Sequence, residues 1–326
     1  MPKLPDRDIQ EVLRDVPWKD LKGAKILLSG GSGFVGSWMV DTFYHANLEY
    51  ELGATMTVLT RDTWKTLRGM VHLPQNGSVT VRKADLADSF PSLGCGYTHI
   101  VHAASENHRD RLYMHETIVE GTKKMLEAAY RDGVHRFLYL SSGAAAKDLD
   151  SMDPENVYGI SKKAAENLCT IFVQRGLHVA VARGYTFSGP RLPLGKKFAL
   201  GEFVEAGLKG MTIGTTSGNT VRSYLYASDM ATWLWKILLK FEKGSVTDVG
   251  SDRPVSMDTV SSYVAALCGV NHNCYLTGNP DTYYPGSRDG RLLVKVPFEE
   301  GVERMVDWYR HNMPKDLDKP GKEFYP

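Results

Sequence analysis

A parallel β-sheet wound on both faces by helices, followed by a smaller and partly interleaved C-terminal region, is the α/β architecture encoded in this chain. Three observations lead to it. Short, nearly continuous apolar runs alternate with helical patterns from Ala24 to about Gly184. A glycine cluster joins the first apolar run to the first helix, and beyond Gly184 the alternation loosens into turn-rich segments. Strands that are apolar throughout are buried on both faces, and the helices between them supply the crossovers that parallel strands need.

The elements follow in order. In "DIQEVLRDVPWKDL" (8–21), Ile9, Val12, Leu13 and Val16 recur at helical spacing, an amphipathic helix that Pro17 should end. Strand and helix patterns then alternate: "AKILLS", helix "GSWMVDTFYHANLEY", strands "TMTVLT", "SVTVRKAD" and "THIVHAAS", helix "MHETIVEGTKKMLEAAYRDG", strand "RFLYLSS", helix "NVYGISKKAAENLCTIFVQRG" and strand "HVAVARG". Further on, helices are expected at "SDMATWLWKILLK", "SMDTVSSYVAAL" and "PFEEGVERMVDWYRHN". The last carries Phe298, Val302, Met305, Val306 and Tyr309 on one stripe, which marks a core-facing helix. The chain thus divides into a helical extension (1–22), a doubly wound sheet domain (23–185) and a smaller region (186–326) interleaved with the last elements of the sheet domain.

Composition narrows the function. With 42% hydrophobic and 24% charged residues and a formal net charge of +1, the chain has the make-up of an ordinary globular protein and no basic excess for nucleic acid or a membrane surface. The opening "MPKLPDRDIQEVLRD" is too charged for a secretory signal, and no apolar run approaches the ~20 residues needed to span a bilayer, so a cytoplasmic location is expected. Cys95, Cys169, Cys268 and Cys274 form no C-x-x-C pair and the ten histidines no H-E-x-x-H, so neither a disulfide framework nor a metal site is indicated. His102 and His108 are the histidines that could meet in space.

"ILLSGGSGFVGSW" sets Gly30, Gly33 and Gly36 after the first strand and at the start of the first helix. Glycines let the backbone turn sharply and approach a pyrophosphate, and the helix N-terminus meets its charge, so this stretch reads as a dinucleotide loop. At the end of the second strand an acidic residue would favour NAD, whereas an arginine can hold the extra phosphate of NADP. Arg61 stands there with Asp62 just beyond, which tips the expectation toward NADP over NAD; a solvated Arg61 stacked on adenine is the competing reading. Asp85 and Leu86 follow the third strand, where the adenine would be bracketed.

"NVYGISKKAAE" places Tyr158 and Lys162 four residues apart, neighbours on one helix face. A lysine ammonium beside a phenol should lower its pKa from about 10 and fit it for proton exchange with a hydroxyl. Together with "SGGSGFVG", "ADL", "VHAAS", "EGTKKMLEAA", "FLYLSS", "YGISK", "VARGYTFSGPR", "VRSYLYASDMA" and "FEEGVERMVDWY", these residues make the chain resemble an extended short-chain dehydrogenase/reductase of the NAD-dependent epimerase/dehydratase family. The resemblance implies a Rossmann domain, a nucleotide-sugar substrate and a homodimer. It assigns Ser142 to the substrate hydroxyl, Tyr158 to acid/base work and Lys162 to its electrostatic partner. Phe34, Val35, Ala103, Ala104, Ser105 and Tyr185 join the glycines along the cofactor. Glu106, Gly143, Thr186, Phe198, Arg222 and Arg288 fall to the substrate, with Arg222 on a diphosphate; an ion pair from Arg222 to Asp229 is its structural alternative.

The sequence departs from the family pattern in informative places. Dehydratases of the family follow the hydroxyl-binding residue with an Asp-Glu pair that handles the leaving hydroxyl and the carbon-bound proton. Here Gly143 and Ala144 stand there, with no proton to give or take. Ile118 replaces a common asparagine, and Thr186 stands where an asparagine often meets the pyrophosphate. The expected activity is therefore an NAD(P)-dependent epimerase or 4-ketoreductase/dehydrogenase, acting without dehydration. A reductase of a non-nucleotide carbonyl compound and a non-catalytic dinucleotide sensor are the alternatives.

Overall fold

The computed structural model describes residues 1–74, 76–86, 94, 96–105, 110–146, 156–195, 198–275 and 281–313. The chain separates into two compact units. The first comprises Met1, Asp6–Gly184 and Ala231–Val249; the second comprises Pro2–Pro5, Tyr185–Met230 and the chain from Gly250 onward.

The first unit is built on seven parallel strands: β1 (Lys25–Ser29), β2 (Thr55–Thr60), β3 (Val79–Lys83), β4 (His99–His102), β5 (Arg136–Ser142), β6 (Val179–Gly184) and β11 (Val246–Val249). Their order is β11-β6-β5-β4-β1-β2-β3. The reversal beside β1 is the topological switch point at which doubly wound sheets bind ligands, outside the C-terminal strand ends. Helices α1 (Asp6–Asp15), α2 (Phe34–Glu49), α3 (Thr63–Gly69), α4 (Arg111–Arg131), α5 (Val157–Gln174) and α7 (Ala227–Lys240) accompany them. Strand β11 is absent from the sequence reading because "VTDV" is too short and too polar to stand out; its place in the sheet comes from pairing Val246–Val249 with Val181–Gly184.

Both faces of the sheet are covered, as its apolar strands require. On one face Leu27, Ile100, Phe137, Tyr139 and Val181 pack with Ile118, Met125 and Leu126 of α4 and Ala165, Cys169 and Phe172 of α5. On the other, Trp235 is fully buried; its ring lies 5.0 Å from that of Trp18 and 6.5 Å from that of Phe43, and its Nε1–H donates to Thr42 Oγ1 at 3.0 Å. Helix α1 ends at Asp15, before Pro17, and a 3-10 turn over Trp18–Leu21 follows rather than more α-helix. Ile9, Val12 and Leu13 are buried, so the opening helix is part of this core.

The second unit carries short strands: β7 (Phe187–Ser188) with β10 (Leu225–Tyr226), β8 (Ile213–Thr215) with β13 (His272–Cys274), and a three-stranded sheet β12-β9-β14 (Pro254–Ser256, Val221–Ser223 and Thr282–Tyr283). Helices α6 (Ala199–Leu208), α8 (Met257–Cys268) and α9 (Phe298–Asn312) pack around them. The stripe Phe298, Val302, Met305, Val306 and Tyr309 of α9 is buried as its spacing indicates. Among the described residues no helix is long and apolar enough to cross a membrane.

Trp235→Ala removes the largest side chain shared by α7, α2 and the turn after α1. It should lower unfolding free energy by roughly 3–5 kcal/mol, read by urea denaturation.

Candidate active site

The glycine loop is built by close approach. Strand β1 ends at Ser29, and Gly30 turns the chain at a φ of +79°. A Cβ on Gly30 would lie 2.7 Å from the Ala103 carbonyl carbon, and one on Gly36 would collide with the Gly30 carbonyl oxygen. The loop therefore lies flat against Ala103 and Ala104 while α2, with Gly33 as its N-cap and Phe34 and Val35 in its first turn, starts directly above Gly30. Backbone N–H groups at such a helix start suit a pyrophosphate.

Beneath the loop runs a chain of buried hydrogen bonds. Ala104 N–H donates to Ser29 Oγ (3.2 Å), Ser29 Oγ meets His102 Nδ1 (2.6 Å), His102 Nε2 meets Thr122 Oγ1 (3.2 Å), and Thr122 O–H donates to Ile118 O (2.7 Å). Thr122 has one proton and it goes to Ile118, so His102 carries its own on Nε2 and accepts from Ser29 at Nδ1. Burial, reinforced by the Lys162 charge, pushes the imidazole pKa down to about 3 and keeps the ring neutral. Both ring nitrogens are engaged, so His102 is a structural link from β1 and β4 to α4. His108 lies outside the described residues.

The residues expected to be catalytic are brought together. Ser142 ends β5, and a 3-10 turn over Gly143–Ala146 follows, in which Ala144 N–H donates to Ser142 Oγ at 3.2 Å. Asn156 caps α5 by accepting from Gly159 N–H (3.0 Å), and a Cβ on Gly159 would lie 2.9 Å from Ala144 O, so α5 begins hard against that turn. Tyr158, in the first turn of α5, thereby places its hydroxyl in hydrogen-bonding contact with Ser142 and with Ser105. Ser105 was assigned above to the cofactor; its contact with the phenol is not legible in "VHAAS". Glu106 lies outside the described residues.

Lys162 is buried one turn along α5. Its Nζ donates to Leu140 O at 2.9 Å and sits 5.0 Å from the centroid of the Tyr139 ring and 5.9 Å from that of Tyr158. Burial pulls its pKa down to about 8, against the opposing charge of Glu166. The expectation that the lysine lowers the tyrosine pKa is corrected here. Burial dominates and raises the phenol pKa, while the hydrogen bonds from Ser105 and Ser142 oppose the rise. The structure thus favours the protonated phenol.

Glu166, which sequence reasoning missed, continues the same helix face. It accepts from Ser141 Oγ (2.6 Å) and is held bidentately by Arg183, Nε to Oε1 at 2.8 Å and Nη2 to Oε2 at 2.7 Å. Ser141 is on β5 and Arg183 on β6, so one carboxylate fixes the helix of Tyr158 and Lys162 to both strands. The signal lay in "YGISKKAAE", whose glutamate falls two turns after the tyrosine.

The remaining expected residues occupy separate positions. Arg61 is exposed, and Asp62 caps α3 by accepting from Lys65 N–H at 3.0 Å. Asp85 is half-buried, and Leu86 O accepts from Lys124 Nζ at 3.1 Å. Tyr185, Thr186, Phe198, Arg222 and Arg288 belong to the second unit. There the Tyr185 ring lies 5.0 Å from that of Tyr283, Thr186 O accepts from Leu225 N–H, and Phe198 precedes α6. Arg288 pairs with Asp252 at 3.5 Å. Arg222 pairs with Asp281 at 2.7 Å rather than with Asp229, whose carboxylate accepts from the backbone N–H groups of Lys295 and Val296.

The seven-stranded sheet with a glycine loop at its switch point defines a Rossmann-type α/β protein, and the cradle of Gly30 and Gly36 fits a dinucleotide. The family model for the NAD dependent epimerase/dehydratase family matches residues 26–250, and the chain belongs to that family of extended short-chain dehydrogenase/reductases. It is 25% identical over 323 residues to the dTDP-D-glucose 4,6-dehydratase of Mus musculus, covering 88% of this chain and 89% of the relative. Its fold is similar to that of the Thermotoga maritima UDP-glucose 4-epimerase with UDP-glucose, with a TM-score of 0.73, 21% identity, and coverage of 89% of this chain and 100% of the other. It is likewise similar to the Bacillus anthracis dTDP-glucose 4,6-dehydratase in complex with NAD, with a TM-score of 0.74, 20% identity, and coverage of 89% and 97%.

Glu166→Gln keeps the shape of the side chain but removes the carboxylate charge that Arg183 grips with two hydrogen bonds. It should lower unfolding free energy by about 2 kcal/mol, with part recovered in Glu166→Gln/Arg183→Met because the desolvated guanidinium that the carboxylate offset is then removed as well. Denaturant titrations of the three proteins check this.

Proposed function

We propose that this protein uses NADP or NAD to move a hydride at a hydroxyl or keto carbon, C4, of a nucleotide sugar, without dehydration, as an epimerase or a 4-ketoreductase/dehydrogenase. The observation that carries the reading is the convergence of the Ser142 and Ser105 hydroxyls on Tyr158, with Lys162 one turn away. When bound, the nicotinamide accepts or returns the hydride. Tyr158 exchanges the proton of the sugar hydroxyl, giving it up when a ketone is reduced and taking it when an alcohol is oxidised. Ser142, fixed by the Ala144 N–H, holds that hydroxyl in line. Lys162 supplies positive charge beside the phenol and a donor for the ribose.

Relatives in the family include dehydratases, and Gly143 and Ala144 separate this chain from their chemistry. Elimination of water needs an acid for the leaving hydroxyl and a base for the carbon-bound proton, and neither residue is either. Preference for NADP rests on Arg61, an exposed guanidinium at the end of β2, and on the engagement of Asp62 as a helix cap, which takes it from the role of ribose acceptor. A homodimer through α4 and α5 completes the reading; Leu112, Tyr130 and Ile171 lie exposed on these helices.

A specific observation favours a second reading, reduction of a non-nucleotide carbonyl compound. The Arg222 guanidinium is engaged by Asp281 Oδ2, Asp281 O and Val221 O, and must exchange these acceptors to bind a diphosphate. Thermal shift of the cofactor-loaded protein with UDP-, GDP-, CDP- and dTDP-sugars separates the two readings. Stabilisation by a nucleotide sugar supports the first, and no response to any of them favours the second.

Tyr158→Phe should lower kcat by about a hundredfold or more while cofactor affinity, read by fluorescence titration, is unchanged; normal turnover would remove Tyr158 from the proton step. Arg61→Ala should weaken NADP binding about tenfold and leave NAD binding within about twofold, since a lost charge-assisted contact is worth about 1.4 kcal/mol or more. Equal weakening of both would discard the phosphate clamp.

A further inference from the structure

In the second unit, three side chains of unlike chemistry converge. One ligand atom each of Asp258, His272 and Cys274 lies within 4.8 Å of the other two. We propose that these residues form a binding site for a thiophilic divalent cation of the zinc class.

The placement follows from regular structure. His272 and Cys274 are the outer residues of β13, two apart and therefore on one face, while Asn273 between them is exposed. Strand β13 is held parallel to β8, with His272 opposite Ile213 and Cys274 opposite Thr215. Asp258 sits in the first turn of α8, where Ser256 caps the helix and Asp258 N–H donates to Gly218 O at 3.1 Å. Each ligand thus hangs from a backbone that is already fixed, which lowers the ordering cost of binding.

The groups already face one another. His272 Nε2 lies 3.5 Å from Asp258 Oδ1, and the Cys274 thiol hydrogen-bonds the same carboxylate. Metal–nitrogen and metal–oxygen bonds of about 2.0 Å and a metal–sulfur bond of about 2.3 Å set tetrahedral ligand atoms roughly 3.3–3.6 Å apart. The Asp258 side chain is 50% exposed and can rotate to close the difference. Ser261 donates its hydroxyl proton to Met257 O (2.8 Å), so its oxygen accepts from His272 Nε2 at 2.9 Å when no ion is bound. Ion binding moves that ring proton to Nδ1 and releases the thiol proton to solvent, leaving neutral imidazole, thiolate and carboxylate as ligands.

The donor set selects the metal. Magnesium and calcium take oxygen ligands, whereas a thiolate and an imidazole beside one carboxylate suit zinc, with water in the fourth position. An ion here ties a three-residue strand to the first turn of α8. Strand β12 runs directly into that helix and pairs with β9, the strand of Arg222.

The test is titration of the chelator-treated, full-length protein with Co²⁺ and then Zn²⁺. One equivalent of Co²⁺ should bind with a thiolate-to-cobalt charge-transfer band in the near ultraviolet, Zn²⁺ should displace it, and Zn²⁺ should raise Tm. Cys274→Ser should abolish the band, and Asp258→Asn and His272→Gln should each weaken binding about tenfold or more. Cys268→Ser, which changes another thiol of the same unit, should bind as the parent does. Far-ultraviolet circular dichroism of each variant confirms that it is folded. Absence of the band at saturating Co²⁺, its persistence in Cys274→Ser, or its loss in Cys268→Ser would overturn the proposal.

Discussion

The buried carboxylate of Glu166 is the interaction on which the candidate site depends. A proton-exchanging phenol needs its partner hydroxyls held within a few tenths of an ångström, and a helix resting on a sheet through apolar contacts alone can slide. Glu166 removes that freedom by taking a hydroxyl from β5 and both arms of a guanidinium from β6. Ser141 and Ser142 are adjacent, so the strand end that offers a hydroxyl toward Tyr158 also fastens the helix from which Tyr158 projects. A paired carboxylate at this depth adds little net stability compared with an apolar contact, but it specifies one geometry.

Around this anchor, burial decides what each polar group does. His102 is kept neutral because both nitrogens are engaged and the ring is shielded from water. Lys162 retains its charge near neutral pH in a buried place, with Leu140 O, two aromatic rings and the opposing charge of Glu166 around it. Tyr158 is pushed toward its protonated form by the same burial that makes the lysine costly to charge. Two groups that sequence spacing pairs as a charge and its beneficiary are therefore both governed first by desolvation.

Much of the first unit was legible in the sequence. Nearly continuous apolar runs and period-3.6 patterns located six of the seven strands of the sheet and its larger helices, and "SGGSGFVGSW" marked the tight glycine turn between β1 and α2, because local backbone demands leave local residue signatures. The short helix α3, helix α6, strand β11 and the paired strands of the second unit were not legible. The strands of the second unit, two or three residues long, gain their hydrogen bonds from distant partners, and the polar "VTDV" of β11 does the same, so no local pattern records them. The contact of Ser105 with Tyr158, the Glu166–Arg183 clasp and the partner of Arg222 escaped for the same reason.

The sequence by itself determined the parallel-sheet architecture, the glycine loop after its first strand, the spacing of Tyr158 and Lys162, and the absence of an acid pair after Ser142. These are properties of neighbouring residues, set by steric and periodic rules along the chain. Tertiary structure alone decided that Glu166 clamps two strands, that Arg222 is engaged by Asp281, and that burial rather than the lysine sets the ionisation of Tyr158. Those outcomes depend on distances between residues far apart in the chain and on the water that packing removes, which only the folded arrangement fixes.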